Sequence, residues 1–424
     1  MGFTKPKKAI GLDIGTHAVK AVLMSRASGR LRVDQAACAL VDRNEMNVDP
    51  VRAQVEAVRK ALESMPAEQS YVVAALTGST VVVRYPRLTD VPKEQIRSAI
   101  EREAANNMPY DLREVFLDWV VLDEYQEDER SQLKVLLVAA KHEEIENRLQ
   151  ILRNAGVQCG VLSVDSLALA DAGEACDFLR VGETVAVINV GLNSSSIHFI
   201  KDGVSNFIRE VNWGAREIIQ AVVKGRRCDF DQAVELLESY EQESIAEADV
   251  PEALEALETE IGFADDDNVP MAGDPFADLG GGGGSLLDPL DEEMGGMGMS
   301  SGASKTYAGG MSSSPMEKKA QRIEDLVAGP LSRMGVEFRR SFDYYEHQLY
   351  EQPVDRIVLA GGLAAFPLVA MTLKDELGFG VVEIANPLES TLILGAENAL
   401  QDLVKQPAQF VVAVGLAARG MADL

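Results

Sequence analysis

The stretch that most constrains the fold is residues 10–23, which read IGLDIGTHAVKAVL. Apolar and small residues alternate before and after Gly15, a pattern that predicts two strands joined by a turn. Asp13 ends the first strand and can hold a hydrated Mg²⁺, while Lys20 supplies a positive charge. The turn offers backbone N–H groups and the Thr16 hydroxyl to phosphate oxygens. An ordinary hairpin with a solvated aspartate explains this stretch equally well.

A second copy of the pattern favours the phosphate-binding interpretation. Residues 184–199 read TVAVINVGLNSSSIHF, again a strand, a glycine turn and a second strand. Asn189 takes the place of Asp13, and Gly191 takes the place of Gly15. Two such hairpins predict two similar lobes that face one nucleotide.

A third motif lies late in the chain, where residues 356–368 read RIVLAGGLAAFPL. The pattern predicts a buried strand, a turn and the start of a helix. Gly361 and Gly362 would let the backbone approach a flat base or ribose closely. In this order, the three stretches resemble the phosphate-1, phosphate-2 and adenosine motifs of the actin-like ATPase superfamily. The resemblance implies an α/β, actin-like (ribonuclease H-like) two-lobed ATPase fold.

The resemblance implies ATP and Mg²⁺ as cofactors, with Asp13 holding the metal through water. Many actin-like ATPases carry an aspartate where this chain has Asn189, and a neutral amide is a poor cation partner and no base. We find no obvious catalytic residue beyond Asp13, which is the only obvious acid at the phosphates, and expect at most a slow ATPase. The expected cofactor-binding residues are Asp13, Gly15, Thr16, His17, Lys20, Asn189, Gly191, Asn193, Gly361 and Gly362.

Composition limits the choice of partners and compartment. The chain has 424 residues, enough for two lobes, and a net charge of −27, which argues against nucleic acid and bare anionic membrane as direct partners. Its four cysteines show no CxxC spacing, and its four histidines form no metal pattern. No signal peptide or transmembrane span is recognisable, so we expect a cytoplasmic protein.

Between the two phosphate turns, residues 86–165 show the pattern of a separate βαββαβ-like module. It should contain a helix over 90–108 and strands at 116–122 and 133–140, with the acidic run 123–130 as a loop between them. Actin has no insertion here. The module resembles subdomain 1C of FtsA and of the pilus protein PilM.

Residues 241–316 depart from globular composition. Residues 241–304 contain 17 acidic residues and no Lys or Arg, so they carry −17 of the −27 net charge. A segment so rich in glycine and in one sign of charge cannot bury enough surface to offset its ordering entropy. We expect a disordered insertion.

These patterns divide the chain into consecutive parts. The expected parts are a first lobe (1–85), the 1C-type module (86–165), a return to the first lobe (166–183), a second lobe (184–240), the acidic insertion (241–316), the second lobe with the adenosine motif (317–403) and a C-terminal helix that returns to the first lobe (404–424).

The order of motifs over nearly the whole chain is similar to the type IV pilus assembly protein PilM family. GLDIGTHAVKAV, LDWVVL, LLVAAK, VLAGGLAAFPLV and ANPL carry the resemblance. The resemblance implies a cytoplasmic ATP-binding scaffold of the type IV pilus machine, with twitching motility as the process it serves. Such a scaffold would be peripheral at the inner membrane through the cytoplasmic N-terminal peptide of PilN, with other pilus components as further partners and oligomerisation left open.

Two alternatives stay open at this point. An FtsA-like cell-division protein normally ends in an amphipathic membrane-binding helix, and the residues after Phe410 carry no basic face. A small-molecule kinase of the superfamily needs a base, usually Asp, beside its substrate, and none is obvious in the sequence.

Deletion of residues 265–314 should leave the fold intact, because the entropy of closing a loop depends only weakly on its length. Thermal unfolding of the deleted and full-length proteins checks this. A large drop in melting temperature would show that the segment packs on the body.

Overall fold

A computed structural model describes residues 6–240, 321–349 and 351–422, and the expected insertion at 241–316 lies outside them. The strands are β1 (Lys8–Ile14), β2 (Ala18–Ala27), β3 (Arg30–Leu40), β4 (Tyr71–Leu76), β5 (Val81–Arg84), β6 (Arg87–Thr89), β7 (Val115–Glu127), β8 (Arg130–Lys141), β9 (Cys159–Val164), β10 (Thr184–Val190), β11 (Ser195–Lys201), β12 (Val204–Val211), β13 (Arg356–Gly361), β14 (Val382–Ile384) and β15 (Ile393–Leu394).

Helices connect these strands and cover the sheets. They are α1 (Arg43–Val48), α2 (Pro50–Leu62), α3 (Ile96–Asn107), α4 (His142–Asn154), α5 (Asp165–Ala175), α6 (Ala215–Arg226), α7 (Phe230–Glu238), α8 (Ile323–Asp343), α9 (Pro367–Leu377), α10 (Gln401–Lys405) and α11 (Val411–Met421). Within the described ranges, no helix is both long and apolar enough to cross a membrane.

Each lobe is built on one sheet, and both predicted hairpins form. The first sheet has the order β15-β3-β2-β1-β4-β9, with β1 and β2 antiparallel and β4 and β9 parallel to β1. The second has the order β12-β11-β10-β13-β14, with β10 and β11 antiparallel and β13 parallel to β10. The expected actin-like two-lobed fold is therefore confirmed.

Helices α5 and α11 lie between the two sheets and join them. Their apolar residues form one core with strands of both lobes, including Leu169 and Leu416 from the helices. The helices pack backbone against backbone. A Cβ on Gly11 of β1 would overlap the carbonyl oxygen of Ala413, and a Cβ on Gly415 would overlap that of Ala168.

The inserted module contains a third sheet, in which β8 pairs with β5 and β6 on one side and with β7 on the other. Helix α3 covers one face of this sheet through Ile100 and its neighbours. The expected loop at 123–130 is wrong. β7 and β8 continue through it to a two-residue turn at Asp128 and Glu129, whose positive φ angles of 51° and 64° are those of a tight hairpin turn. The charges there lie on exposed strand ends, which the sequence does not distinguish from a loop.

Sheet membership also differs from the expected limits of the module at 86 and 165. β5 precedes residue 86 but belongs to the inserted sheet. β9 precedes residue 165 but pairs with β4 of the first lobe, and α4 contributes Ile151 and Leu152 to the first-lobe core. The inserted sheet is therefore built from residues 81–141.

Candidate functional site

The two predicted phosphate turns have the same local geometry. In the first, the Gly15 N–H donates to the Ala18 carbonyl over 3.1 Å, and in the second the Gly191 N–H donates to the Ser194 carbonyl over 3.1 Å. The internal repeat seen in the sequence is therefore a repeat of structure. Each turn lies between the first two strands of its lobe.

Asp13 and Lys20 face each other across the first hairpin, in register on β1 and β2. Lys20 Nζ lies 3.1 Å from Asp13 Oδ2, and the two side chains are only 17% and 18% exposed. Partial burial strengthens the attraction between opposite charges. The pair therefore presents one cation and one anion at a fixed place beside the turn.

The two turns meet across the lobes. Asn193 Nδ2 donates to Thr16 Oγ1 over 3.1 Å, so two predicted site residues are in direct contact. Arg216, in the first turn of α6, donates from Nε to Asn193 Oδ1 over 2.8 Å. The sequence analysis missed Arg216, because only the fold brings α6 beside the second turn.

His17 lies in a contact between the lobes. The centroid of its ring is 5.8 Å from that of Phe230 on α7. Arg43 of α1 lies over the Phe230 ring, with its Cζ 3.7 Å from the centroid, and its Nη1 lies 2.9 Å from Asp231 Oδ1. Burial, followed by the charge of Lys20, lowers the pKa of His17. The imidazole is therefore neutral at neutral pH and adds no positive charge to the turn.

Asn189 and the glycine pair come together at the end of the second sheet. Asn189 pairs in register with the residue before Gly361 on the neighbouring strand β13. Gly361 has a φ of +99°, which favours glycine, and a Cβ there would lie 2.8 Å from Asn189 Oδ1 and overlap the Val190 carbonyl. The Gly362 N–H donates to the same carbonyl over 3.2 Å.

The sequence names Asp13 as the only obvious acid at the phosphates, and the fold brings a second acid, Asp165, to the same edge. Asp165 begins α5 directly after β9, and β1, β4 and β9 are parallel, so their carboxyl ends lie at one edge. Burial and the charge of Asp13 raise the pKa of Asp165 to about 7. An acid that directly follows a strand, here the mostly half-buried β9, was the signal in the sequence.

Two more charged groups complete this edge. Arg148, on α4, donates to the Ile14 carbonyl over 3.1 Å, and its charge favours the ionised form of Asp165. Glu210 of β12 belongs to the second lobe, and burial together with Asp165 raises its pKa to about 8. Neither residue belongs to a local motif, so sequence reasoning could not select them.

Lys20 and Asp13 are residues that would fit a phosphate group and a hydrated cation. In the part of the chain that the structure describes, no group of three or more His, Cys, Asp or Glu side chains is placed to hold a metal ion. Mg²⁺ keeps several waters in most protein sites, so one carboxylate such as Asp13 is sufficient to hold it through water.

The actin-like class of two-lobed proteins is defined by three features of this structure. They are the two lobes with matching hairpins, the glycine turn on the strand beside the second hairpin, and the helices between the sheets. Within this class, the sequence matches the family described as type IV pilus assembly protein PilM over residues 11–244 and 291–421. The chain belongs to this family. The family match does not favour an FtsA-like protein or a small-molecule kinase.

Three solved structures are similar to this chain to different degrees. A PilM-PilN type IV pilus biogenesis complex is similar with a TM-score of 0.68 and 21% identity, covering 98% of this chain and 99% of that chain. The ethanolamine utilization protein EutJ from Carboxydothermus hydrogenoformans gives a TM-score of 0.48 at 11% identity, covering 98% and 90%. MreB 5 of Spiroplasma citri bound to AMPPNP gives 0.42 at 11% identity, covering 98% and 95%.

Proposed function

We propose that this protein binds Mg-ATP between its lobes and acts as a cytoplasmic scaffold of type IV pilus assembly, held at the inner membrane by the N-terminal tail of PilN. The observation that carries the nucleotide proposal is the pair of identical glycine turns, which meet through Thr16 and Asn193. Family membership and the likeness to a PilM-PilN complex support the partner.

Each predicted site residue has a role in this proposal. Lys20 would bind phosphate oxygens, and Asp13 would hold the hydrated Mg²⁺ that neutralises their charge. The turns at Gly15 and Gly191 would supply close backbone contacts to the phosphates. Gly361 and Gly362 would lie against the adenosine.

Replacement of Asp13 or Lys20 by alanine should weaken Mg-ATP binding at least about tenfold, because each change removes a charge-assisted contact worth about 1.5–3 kcal/mol. Titration with a fluorescent ATP analogue in excess Mg²⁺ measures the affinity. Lys60→Ala, on the exposed surface of α2, is the matched control and should bind as the wild type does. Unchanged affinity in both site variants would exclude this nucleotide site.

We further propose that hydrolysis is slow, because Asn189 stands where an aspartate would help to order Mg²⁺ and water. Asn189→Asp should raise the ATP turnover measured by phosphate release, while Asn154→Asp at the end of α4 should leave it unchanged. A wild-type turnover of about 1 per second or faster, as in ordinary enzymes, would contradict the interpretation of Asn189.

For the PilN tail, we propose a groove with the inserted module as one wall against the first lobe. The face of the inserted sheet opposite α3 carries Phe116 and Val120 of β7, exposed by 56% and 49%, with the exposed Asp118 between them. Val138 of β8 lies between them in the register and is half-buried. β7 pairs only with β8 among the described strands, so its other edge can accept an extended peptide.

The PilN N-terminal peptide should bind the wild type at a one-to-one ratio in isothermal titration calorimetry. Phe116→Glu and Val120→Glu should each weaken it about tenfold or more, since burial of one such side chain is worth about 1.5–3 kcal/mol. Val204→Glu, at an equally exposed valine in the second lobe, is the control and should bind normally. Normal binding by both β7 variants would place the peptide elsewhere.

A further inference from the structure

Two carboxyl groups from different lobes crowd one glycine. Gly78 lies in the short turn that follows β4 of the first lobe. A Cβ on Gly78 would overlap Glu210 Oε1 and lie 3.1 Å from Asp165 Oδ1. Asp165 belongs to α5 and follows a first-lobe strand, whereas Glu210 is on β12 of the second sheet. The junction between the lobes at this point is therefore formed by two acids.

The two acids differ in what holds them. Asp165 Oδ1 accepts hydrogen bonds from the backbone N–H groups of Gly78 and Ser166, over 2.7 and 2.6 Å. Glu210 Oε1 is buried and has no hydrogen-bond partner among the described residues. The Ser196 hydroxyl, opposite Glu210 in the β11–β12 register, likewise has no partner, whereas the Ser166 hydroxyl lowers the pKa of Glu210 as a hydrogen-bond donor but does not outweigh burial and Asp165.

The other charged groups near this pair do not neutralise Glu210. Asp13 and Arg148 act on Asp165, with opposite signs. His198 of β11 hydrogen-bonds through its two ring nitrogens to the Ser166 carbonyl and the Ser205 hydroxyl, over 2.9 and 2.7 Å. Burial lowers the pKa of His198 to about 4, so it is uncharged at neutral pH.

Asp165 and Glu210 are both half-buried, and two ionised carboxylates so close together repel each other when there is no cation for each. Burial and the charge of Asp165 accordingly raise the pKa of Glu210 from the usual 4.5 to about 8. The pKa values of both acids are raised, so at neutral pH the pair shares a proton, and the two backbone hydrogen bonds that Asp165 accepts favour Glu210 as the group that carries it.

We propose that Glu210 and Asp165 form a proton-linked latch between the two lobes. With a proton on Glu210, its neutral carboxyl packs against Asp165 and Gly78 and the junction is closed. When that proton leaves, two negative charges face each other across the junction, and the contact between β12 and the start of α5 is weakened. The latch is tested on the protein without nucleotide or PilN, so failure of this test is distinguishable from failure of the proposed function.

The latch has a defined effect on stability against pH. A carboxyl whose pKa is higher in the folded than in the unfolded chain keeps its proton where the unfolded chain has lost it. Its contribution to stability therefore falls as the pH rises from about 4.5 to about 8 and is constant above that range. For one proton, the unfolding equilibrium constant increases by up to about tenfold per pH unit in this window.

Thermal and denaturant unfolding of the wild type and Glu210→Gln between pH 5 and 9 tests this effect. The glutamine cannot ionise, so the variant should become progressively more stable than the wild type up to about pH 8. Glu63→Gln, an exposed glutamate just after α2, is the control and should follow the wild type at every pH. Parallel curves for the wild type and Glu210→Gln would overturn the proposal.

A second set of measurements examines the junction itself, and its stability comparison needs no change of pH. Gly78→Ala should destabilise the wild type because its Cβ overlaps Glu210 Oε1, and the same change should cost much less in a Glu210→Ala background. Hydrogen exchange at the Gly78 and Ser166 amides should be faster at pH 9 in the wild type than in Glu210→Gln. Additive stability effects together with equal exchange would show that the two acids do not hold the lobes.

Discussion

The close contact of α11 with β1 and α5 is the constraint on which the two-lobed arrangement depends. Glycines at the crossing points let backbone approach backbone, and the apolar residues around them form a core that belongs to both sheets. A larger side chain at either crossing would push a helix away from its neighbour. The lobes are thus fixed to each other by packing at one place, while their polar turns meet at another.

The polar edge is organised by pairs of charges and amides more than by any single residue. Asp13 has Lys20 as its partner, and Asn193 lies between Thr16 and Arg216. The contact between Asn193 and Thr16 joins the two lobes, whereas Asp13 and Lys20 belong to one hairpin. Because these contacts are polar and partly exposed, they can be exchanged for contacts with a ligand at low cost, whereas the apolar core between the sheets cannot.

The features that could be predicted from the sequence are the local ones. Alternation of apolar and small residues reports burial on a sheet, so both hairpins and the strand before Gly361 were found. Contacts that only the fold creates could not be predicted from the sequence, and for this reason Glu210 and Arg148 were missed. Asp165 could have been selected from the sequence, since it directly follows a strand, but its neighbours were not known before the strand order.

The position of α11 in the chain has a consequence for how the protein is made. This helix is synthesised about 400 residues after β1, yet it fills the space against that strand. During translation the first sheet therefore emerges with an apolar face that lacks this helix until residues 411–421 have left the ribosome. Contacts of such long sequence separation form slowly, and a partly made chain would expose this face to other chains. The first lobe thus begins to fold early in synthesis but is completed only late, when its last helix arrives.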